Sequence, residues 1–253
     1  MRVRLLLDYD GTRYHGFQIQ ENANTIQQEL ETAIRKAGGG SARIDGAGRT
    51  DAGVHALGQV AAFTTEAKIP GERWAQILNY YLPADIHVQE SSEEAEDYHP
   101  RFRPHNKTYL YQIYQGSRGL SIYRRYAHCV RYPLDAALMQ QACADLLGEH
   151  DFRAFCATRS SVKQYVRNVL RCELQAEGEW LRLYIRANGF LYNMVRIIAG
   201  TLIDIGRGHL PPDTFRQMLA TGERKLGGKT APPQGLILYA VHDLTDSPAA
   251  ENS

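Results

Sequence analysis

The feature that most constrains the fold is a rhythm of apolar spacing that runs twice along the chain. Val3, Leu5, Leu7 and Tyr9 alternate with Arg2, Arg4, Leu6 and Asp8 up to the turn pair Asp10-Gly11. That period of two predicts a strand. From Thr25 to Ala37 the period changes: Ile26, Leu30, Ala33, Ile34 and Ala37 share one helical face, and Thr25 with Gln28 has the spacing of a capping box. A strand over Val60–Thr64, a short helix over Glu72–Asn79 and a strand over Ile86–Glu90 follow, closed by the acidic patch Glu90–Asp97.

The second half repeats the pattern. A strand over Lys107–Tyr114 precedes a helix over Asp135–Leu147, with Leu138, Ala142 and Leu146 inward and Gly148 as its stop. Val166–Ala176 and Trp180–Ala187 flank Glu177-Gly178-Glu179 as a hairpin, and Phe190–Ile205, apolar nearly all round, predicts a buried helix. A last strand, Gly235–Val241, leads into a polar tail expected to fray. The expected fold class is therefore α+β: two similar lobes of mainly antiparallel sheet backed by helices, meeting at a central cleft. The expected boundaries are 1–97, 98–245 and a tail over 246–253.

Composition narrows the class. The 253 residues are 43% hydrophobic and 23% charged, ordinary values for a globular chain of one large or two medium domains. No run approaches the roughly 18 apolar residues of a membrane span, and the opening Met1–Asp8 is too short and too soon acidic for a signal peptide. The expectation is a soluble, cytoplasmic protein. Cys129, Cys143, Cys156 and Cys172 form no CxxC pair, so reduced thiols are expected. The nine histidines have no metal-ligand spacing, so no metal is expected.

The net charge of +1 is uninformative, but its distribution is not. Tyr98 to Leu134 contains no acid, seven basic residues (Arg101, Arg103, Lys107, Arg118, Arg124, Arg125, Arg131) and seven tyrosines. Phe152 to Cys172 is likewise acid-free, with Arg153, Arg159, Lys163, Arg167 and Arg171. Cations interleaved with rings suit a polyanion with exposed bases. A tyrosine-rich strand with solvated arginines outside has the same composition.

Two glycine-rich segments imitate nucleotide motifs and fail. Gly222 lies one residue too far from Gly228-Lys229-Thr230 for a phosphate loop, and Ala231-Pro232-Pro233 denies it a helix N-terminus. In Gly46-Ala-Gly48-Arg-Thr-Asp51 an acid occupies the place of the third glycine of a dinucleotide fingerprint, where it would repel a pyrophosphate. What remains is Asp45–Ala56, in which small residues crowd around Asp51 and let a ligand approach its carboxylate. Arg49 can hold that acid ionised, as a nucleophile or general base requires. A tight turn capped by Asp and Arg fits the same residues.

At this segment the chain resembles the tRNA pseudouridine synthase A family. The resemblance covers about Val3 to Asp243 and rests on an ordered set of motifs: Asp8-Tyr-Asp-Gly-Thr12, Tyr14-His-Gly-Phe-Gln18, Gly46–Ala56, Leu82-Pro-Ala-Asp-Ile86 and His99-Pro-Arg-Phe102. It continues in Lys107-Thr-Tyr-Leu-Tyr111, Gly148-Glu-His-Asp-Phe152, Phe190–Gly200 and Lys229-Thr-Ala-Pro-Pro-Gln-Gly-Leu236. The resemblance implies that Asp51 is the nucleophile, that Tyr109 lies against the target base, that Arg196 pairs with Asp51, and that Arg49 contacts the RNA backbone or the flipped nucleotide. It further implies isomerisation of uridines 38, 39 and 40 in the anticodon stem-loop of tRNA, no cofactor, and a homodimer. Asn193 and Ile197 stand where His and Asn are common, Asn79-Tyr80-Tyr81 replaces smaller residues, and Lys163 replaces an arginine.

The chemistry fits these residue types. Uridine must exchange its N1 glycosidic bond for one from C5, a net isomerisation needing no metal or energy source. A carboxylate can attack C1′, attack C6, or assist a glycal route. The stacked nucleotide must first flip out, at a cost of a few kcal/mol. An Arg196 inside a buried helix needs an anionic partner, which Asp51 would supply. Two other functions compete: an RNA binder in which Asp51 only shapes a loop, and a glycoside hydrolase, which requires a second carboxylate beside Asp51.

Overall fold

The computed structural model describes residues 1–157 and 164–244, and these form two compact units, Met1–Asn106 with the strand from Leu238 onward, and Lys107–Ile237. Arg159, Lys163 and the polar tail lie outside the described residues. The fold is α+β, and no helix among the described residues is long and apolar enough to cross a membrane.

The first unit contains β1 (Arg2–Tyr9), α1 (Ile26–Lys36), β2 (Asp45–Gly46), β3 (His55–Thr64), α2 (Trp74–Tyr81) and β4 (Ile86–Glu94). Strand β1 lies between β3 and β4, antiparallel to both, and β2 adds to β3 with Asp45 opposite Ala62. The alternation in β1 buries Val3, Leu5, Leu7 and Tyr9, each such side chain contributing about 1.5–3 kcal/mol. Thr25 caps α1 by accepting from the Gln28 amide, and Ile26, Leu30, Ala33 and Ile34 form its buried face. Helix α2 docks through Trp74, which meets Phe63 of β3 edge-on at 5.0 Å. Asn79 then ties α2 to β4: its side chain donates to the Val88 carbonyl and accepts from the Val88 amide, both at 2.8 Å. Strand β4 runs beyond the expected Glu90 into the acidic patch, because Arg2 and Arg4 of β1 stand opposite Glu94 and Ser92.

The second unit begins with β5 (His105–Tyr114), α3 (Leu120–Tyr123), β6 (His128–Cys129), α4 (Ala136–Cys143) and β7 (Gly148–Asp151). It continues with β8 (Val166–Glu177), β9 (Trp180–Ala187), α5 (Met194–Gly206) and α6 (Thr214–Thr221), before β10 (Leu236–Asp243). The sheet order is β5-β9-β8-β7 with antiparallel pairing throughout, and β6 adds in parallel to β5. Helix α4 is shorter than its apolar pattern suggested, since the chain tightens to a 3-10 turn over Ala144–Leu146. Helix α5 starts at Met194 and not at Phe190: Asn193 adopts a left-handed conformation (φ 62°) that a continuing helix excludes. From there every residue to Gly206 is buried except Arg196 and Asp204.

Candidate active site

The loop between β2 and β3 carries Asp51, and its backbone is clamped by the segment that follows β1. The Phe17 amide donates to the Thr50 carbonyl (3.1 Å), the Gly53 amide to the Tyr14 carbonyl (3.2 Å), and the Val54 amide closes a turn on the Asp51 carbonyl (3.1 Å). Side chains add to this. The Tyr9 and Thr50 hydroxyls share a 2.8 Å hydrogen bond, the Gln59 amide donates to the Gly48 carbonyl at 2.9 Å, and His55 Nδ1 accepts from the Gly11 amide at 3.0 Å. Burial pushes the Tyr9 hydroxyl up to about 12 despite its bonds to Thr50 and Gln59, so it stays a neutral hydrogen-bonding group.

The close approach of the two segments requires Gly16. Its φ is +95°, and a Cβ there would stand 2.5 Å from the Thr50 carbonyl oxygen. The clamping segment is itself held by Asp85, at the end of the Leu82-Pro-Ala-Asp motif. The Tyr14 hydroxyl donates to Asp85 Oδ1 at 2.6 Å and Arg13 Nε reaches Asp85 Oδ2 at 3.1 Å. Burial, and then the Asp85 hydrogen bond and charge, raise the Tyr14 pKa well above the usual phenol range. Three motifs that are far apart in sequence thus converge on the backbone around one half-buried carboxylate, Asp51, with Thr50 buried and Arg49 exposed on the same loop.

The remaining two candidates lie in the second unit. Tyr109 is buried on β5, opposite Ile185 of β9, and its ring meets Phe190 edge-on at 5.0 Å. Tyr111 shares its face of β5 and is fully buried. Arg196 is half-buried in the first turn of α5, where Nε donates to the Ala231 carbonyl (2.8 Å) and Nη1 to Asn193 Oδ1 (2.9 Å). The next carbonyl, Pro232, accepts from the Tyr111 hydroxyl at 2.9 Å. Burial raises the Tyr111 pKa far above its ordinary value, and the charge of Arg196 partly opposes this.

The segment Lys229–Gly235 is therefore a brace for Arg196. It can lie against α5 because of Gly200, where a Cβ would overlap the Lys229 carbonyl oxygen. The Ala231 amide completes the brace by donating to the Arg196 carbonyl at 3.0 Å. Residue types alone did not single out Tyr9, Tyr14, Gln59, Asp85 or Tyr111 as positioning groups. The presence of Tyr9, Tyr14, Asp85 and Tyr111 inside the quoted motifs was the available signal, and Gln59 had none.

The model of a family described as tRNA pseudouridine synthase matches residues 6–103 and 142–242. The chain belongs to the tRNA pseudouridine synthase family. The tRNA pseudouridine synthase A of Syntrophomonas wolfei is 50% identical over 246 residues, 97% of this chain and 99% of its own. Those of Acetivibrio thermocellus and Caldicellulosiruptor bescii are each 44% identical over 95% and 94% of this chain and 98% of theirs. Tyr9, Tyr14, Asp51, Asp85 and Arg196 fall within the two matched ranges of this family of tRNA-uridine isomerases, and Tyr109 lies between them.

Proposed function

We propose that this member of the family isomerises uridines 38, 39 and 40 in the anticodon stem-loop of tRNA, with Asp51 as the nucleophile on a flipped-out nucleotide. The observation that carries the reading is the Asp51 loop itself. A half-buried carboxylate sits on backbone tied down by the Thr50, Asp51 and Gly53 hydrogen bonds, which is the pre-organisation a nucleophile needs. The reaction breaks N1–C1′ and forms C5–C1′; the C5 proton leaves and N1 gains one, so no redox partner enters.

In this reading Tyr109 lies against the target base, Arg196 is the charge partner of Asp51, and Arg49 meets the RNA backbone or the flipped nucleotide. Flipping costs a few kcal/mol, which stacking at about 1–3 kcal/mol per base offsets. The family resemblance supports a homodimer working in the cytoplasm.

The test is tritium release from tRNA carrying C5-tritiated uridine. Wild type releases tritium from positions 38–40, whereas Asp51→Asn folds, binds tRNA and releases none. Turnover by Asp51→Asn would remove the nucleophile assignment; release from other positions would remove the anticodon-stem assignment.

A further inference from the structure

A second feature of the first unit is not used by the chemistry at Asp51. Arg43, Arg49 and Arg101 line one recess together with Asp45, His99 and Phe102, and Gly46 of β2 forms part of its wall. Phe102 is 77% exposed, and its ring centroid lies 4.3 Å from that of His99, with the rings tilted by 38°. We propose that this recess is a second nucleotide subsite, which takes the phosphodiester on its arginines and an unstacked base on Phe102, for the RNA residue flanking the target uridine. The proposal rests on the tRNA-isomerase reading and adds to it the place of a neighbouring nucleotide.

Three observations carry it. First, the charges are arranged for an anion that is not part of the chain. Asp45, the acid in the recess, is bonded to Arg2 at 2.8 Å. Burial, and then the charge of Arg49, hold the Arg101 guanidinium below its ordinary pKa, a like-charge conflict that a bound phosphate relieves. Arginine forks match phosphate oxygens in geometry as well as charge.

Second, the turn that carries the aromatic platform is tied down before anything binds. The Phe102 and Arg103 amides both donate to the His99 carbonyl at 3.1 Å, and the Arg101 amide donates to His99 Nδ1 at 3.2 Å. Arg103 Nε meets Asp243 at 2.6 Å. Buried Arg2 ties the start of the turn to β2, the strand that leads into the Asp51 loop, since Nε donates to the Tyr98 carbonyl (2.9 Å) and Nη2 to Asp45. A turn held in this way presents its ring without first ordering its backbone. Third, the recess is continuous with the Asp51 loop through Gly46 and Arg49, so its occupant belongs to the polymer that delivers the target base.

The test compares Arg43→Gln, Arg101→Gln, Phe102→Ala and Phe102→Trp with wild type, using an anticodon stem-loop RNA over a salt series. All three residues are exposed, so folding is unaffected. Each Arg→Gln should flatten the plot of log K against log salt by about 0.7–0.9. Phe102→Ala should weaken binding about 5- to 100-fold with the slope unchanged, and Phe102→Trp should restore it. kcat at saturating tRNA should stay within about threefold of wild type, because none of these groups touches the reacting atoms. Wild-type affinity and slope in the variants, with an active wild type, would overturn the subsite and leave the isomerase reading intact. A wild type inactive on every tRNA would overturn that reading and the flanking-nucleotide assignment with it. Equal binding of the stem-loop and an acidic peptide, both lost in Phe102→Ala, would replace RNA by protein as the occupant.

Discussion

Tyr9 and Thr50 share a 2.8 Å hydrogen bond across 41 residues of sequence, and this joins the end of the first strand to the residue immediately before the candidate nucleophile. Because both groups are buried, removing the phenol oxygen leaves Thr50 Oγ1 to find a new partner in a dry site. Tyr9→Phe is expected to lower stability by about 1–2 kcal/mol and single-turnover isomerisation by up to about 10²-fold. Chemical denaturation and rapid-quench assays measure the two effects separately. A destabilised variant with an unchanged single-turnover rate would show that the bond serves the core and not the loop.

Gly16 offers a sharper test of the clamp. Its positive φ and its approach to the Thr50 carbonyl oppose a side chain by two independent mechanisms. Gly16→Ala should therefore cost more than the roughly 1 kcal/mol of left-handed strain alone, and activity should fall further than Tyr9→Phe causes. A thermal midpoint within about 1 °C of wild type would mean that the segment after β1 is free to move away from the Asp51 loop.

His128, on β6 beside β5, gives the molecule an acid-sensitive element remote from Asp51 in sequence. Burial lowers its pKa below 6.5, and its Nδ1 has no hydrogen-bond partner among the described residues. The unfolded ring takes up a proton near pH 6.5 while the folded ring stays neutral, so its contribution to stability is full above that pH. It is lost as pH falls from there towards the folded pKa. His128→Gln should flatten the decline of unfolding free energy as pH falls below about 6.5, by at most about 1.4 kcal/mol per pH unit. Denaturant titrations at four pH values test this; parallel curves for the two proteins would remove His128 as the titrating group.

Local physics made some of this legible in the sequence and hid the rest. β1 and α1 were readable because a strict period coincides with a capping residue, and the β8–β9 hairpin because Gly178 marks its turn. β7 was not: Gly148–Asp151 has no apolar residue, and it pairs as an edge strand through backbone groups alone. α6 was also missed, its single turn of apolar spacing (Phe215, Met218) being too short to stand out, although left-handed Gly222 marks its end. Asp51 stood out by the smallness of its neighbours. The groups that hold its loop did not, since Tyr9, Tyr14 and Asp85 are common residue types that acquire their role only through contacts 40 to 70 residues away in the chain.

The brace around Arg196 separates charge from geometry. The guanidinium donates in two directions, from Nε to Ala231 and from Nη1 to Asn193, while Tyr111 holds the adjoining Pro232 carbonyl. Lysine keeps the charge but cannot place two donors in these fixed directions. If Arg196 acts only as a positive charge near the reacting carboxylate, Arg196→Lys should retain most activity. If the brace sets its direction, Arg196→Lys should lose about 10²-fold in kcat with tRNA affinity little changed, and Tyr111→Phe should show a smaller loss of the same kind. Asn193 divides the effect further: Asn193→Gly keeps the left-handed backbone and removes one acceptor, whereas Asn193→Ala also adds about 1–2 kcal/mol of strain. The expected order of stability is wild type, then Asn193→Gly, then Asn193→Ala, measured by thermal unfolding. Full activity in both Arg196→Lys and Tyr111→Phe would sink the brace as a catalytic device and leave it a packing contact.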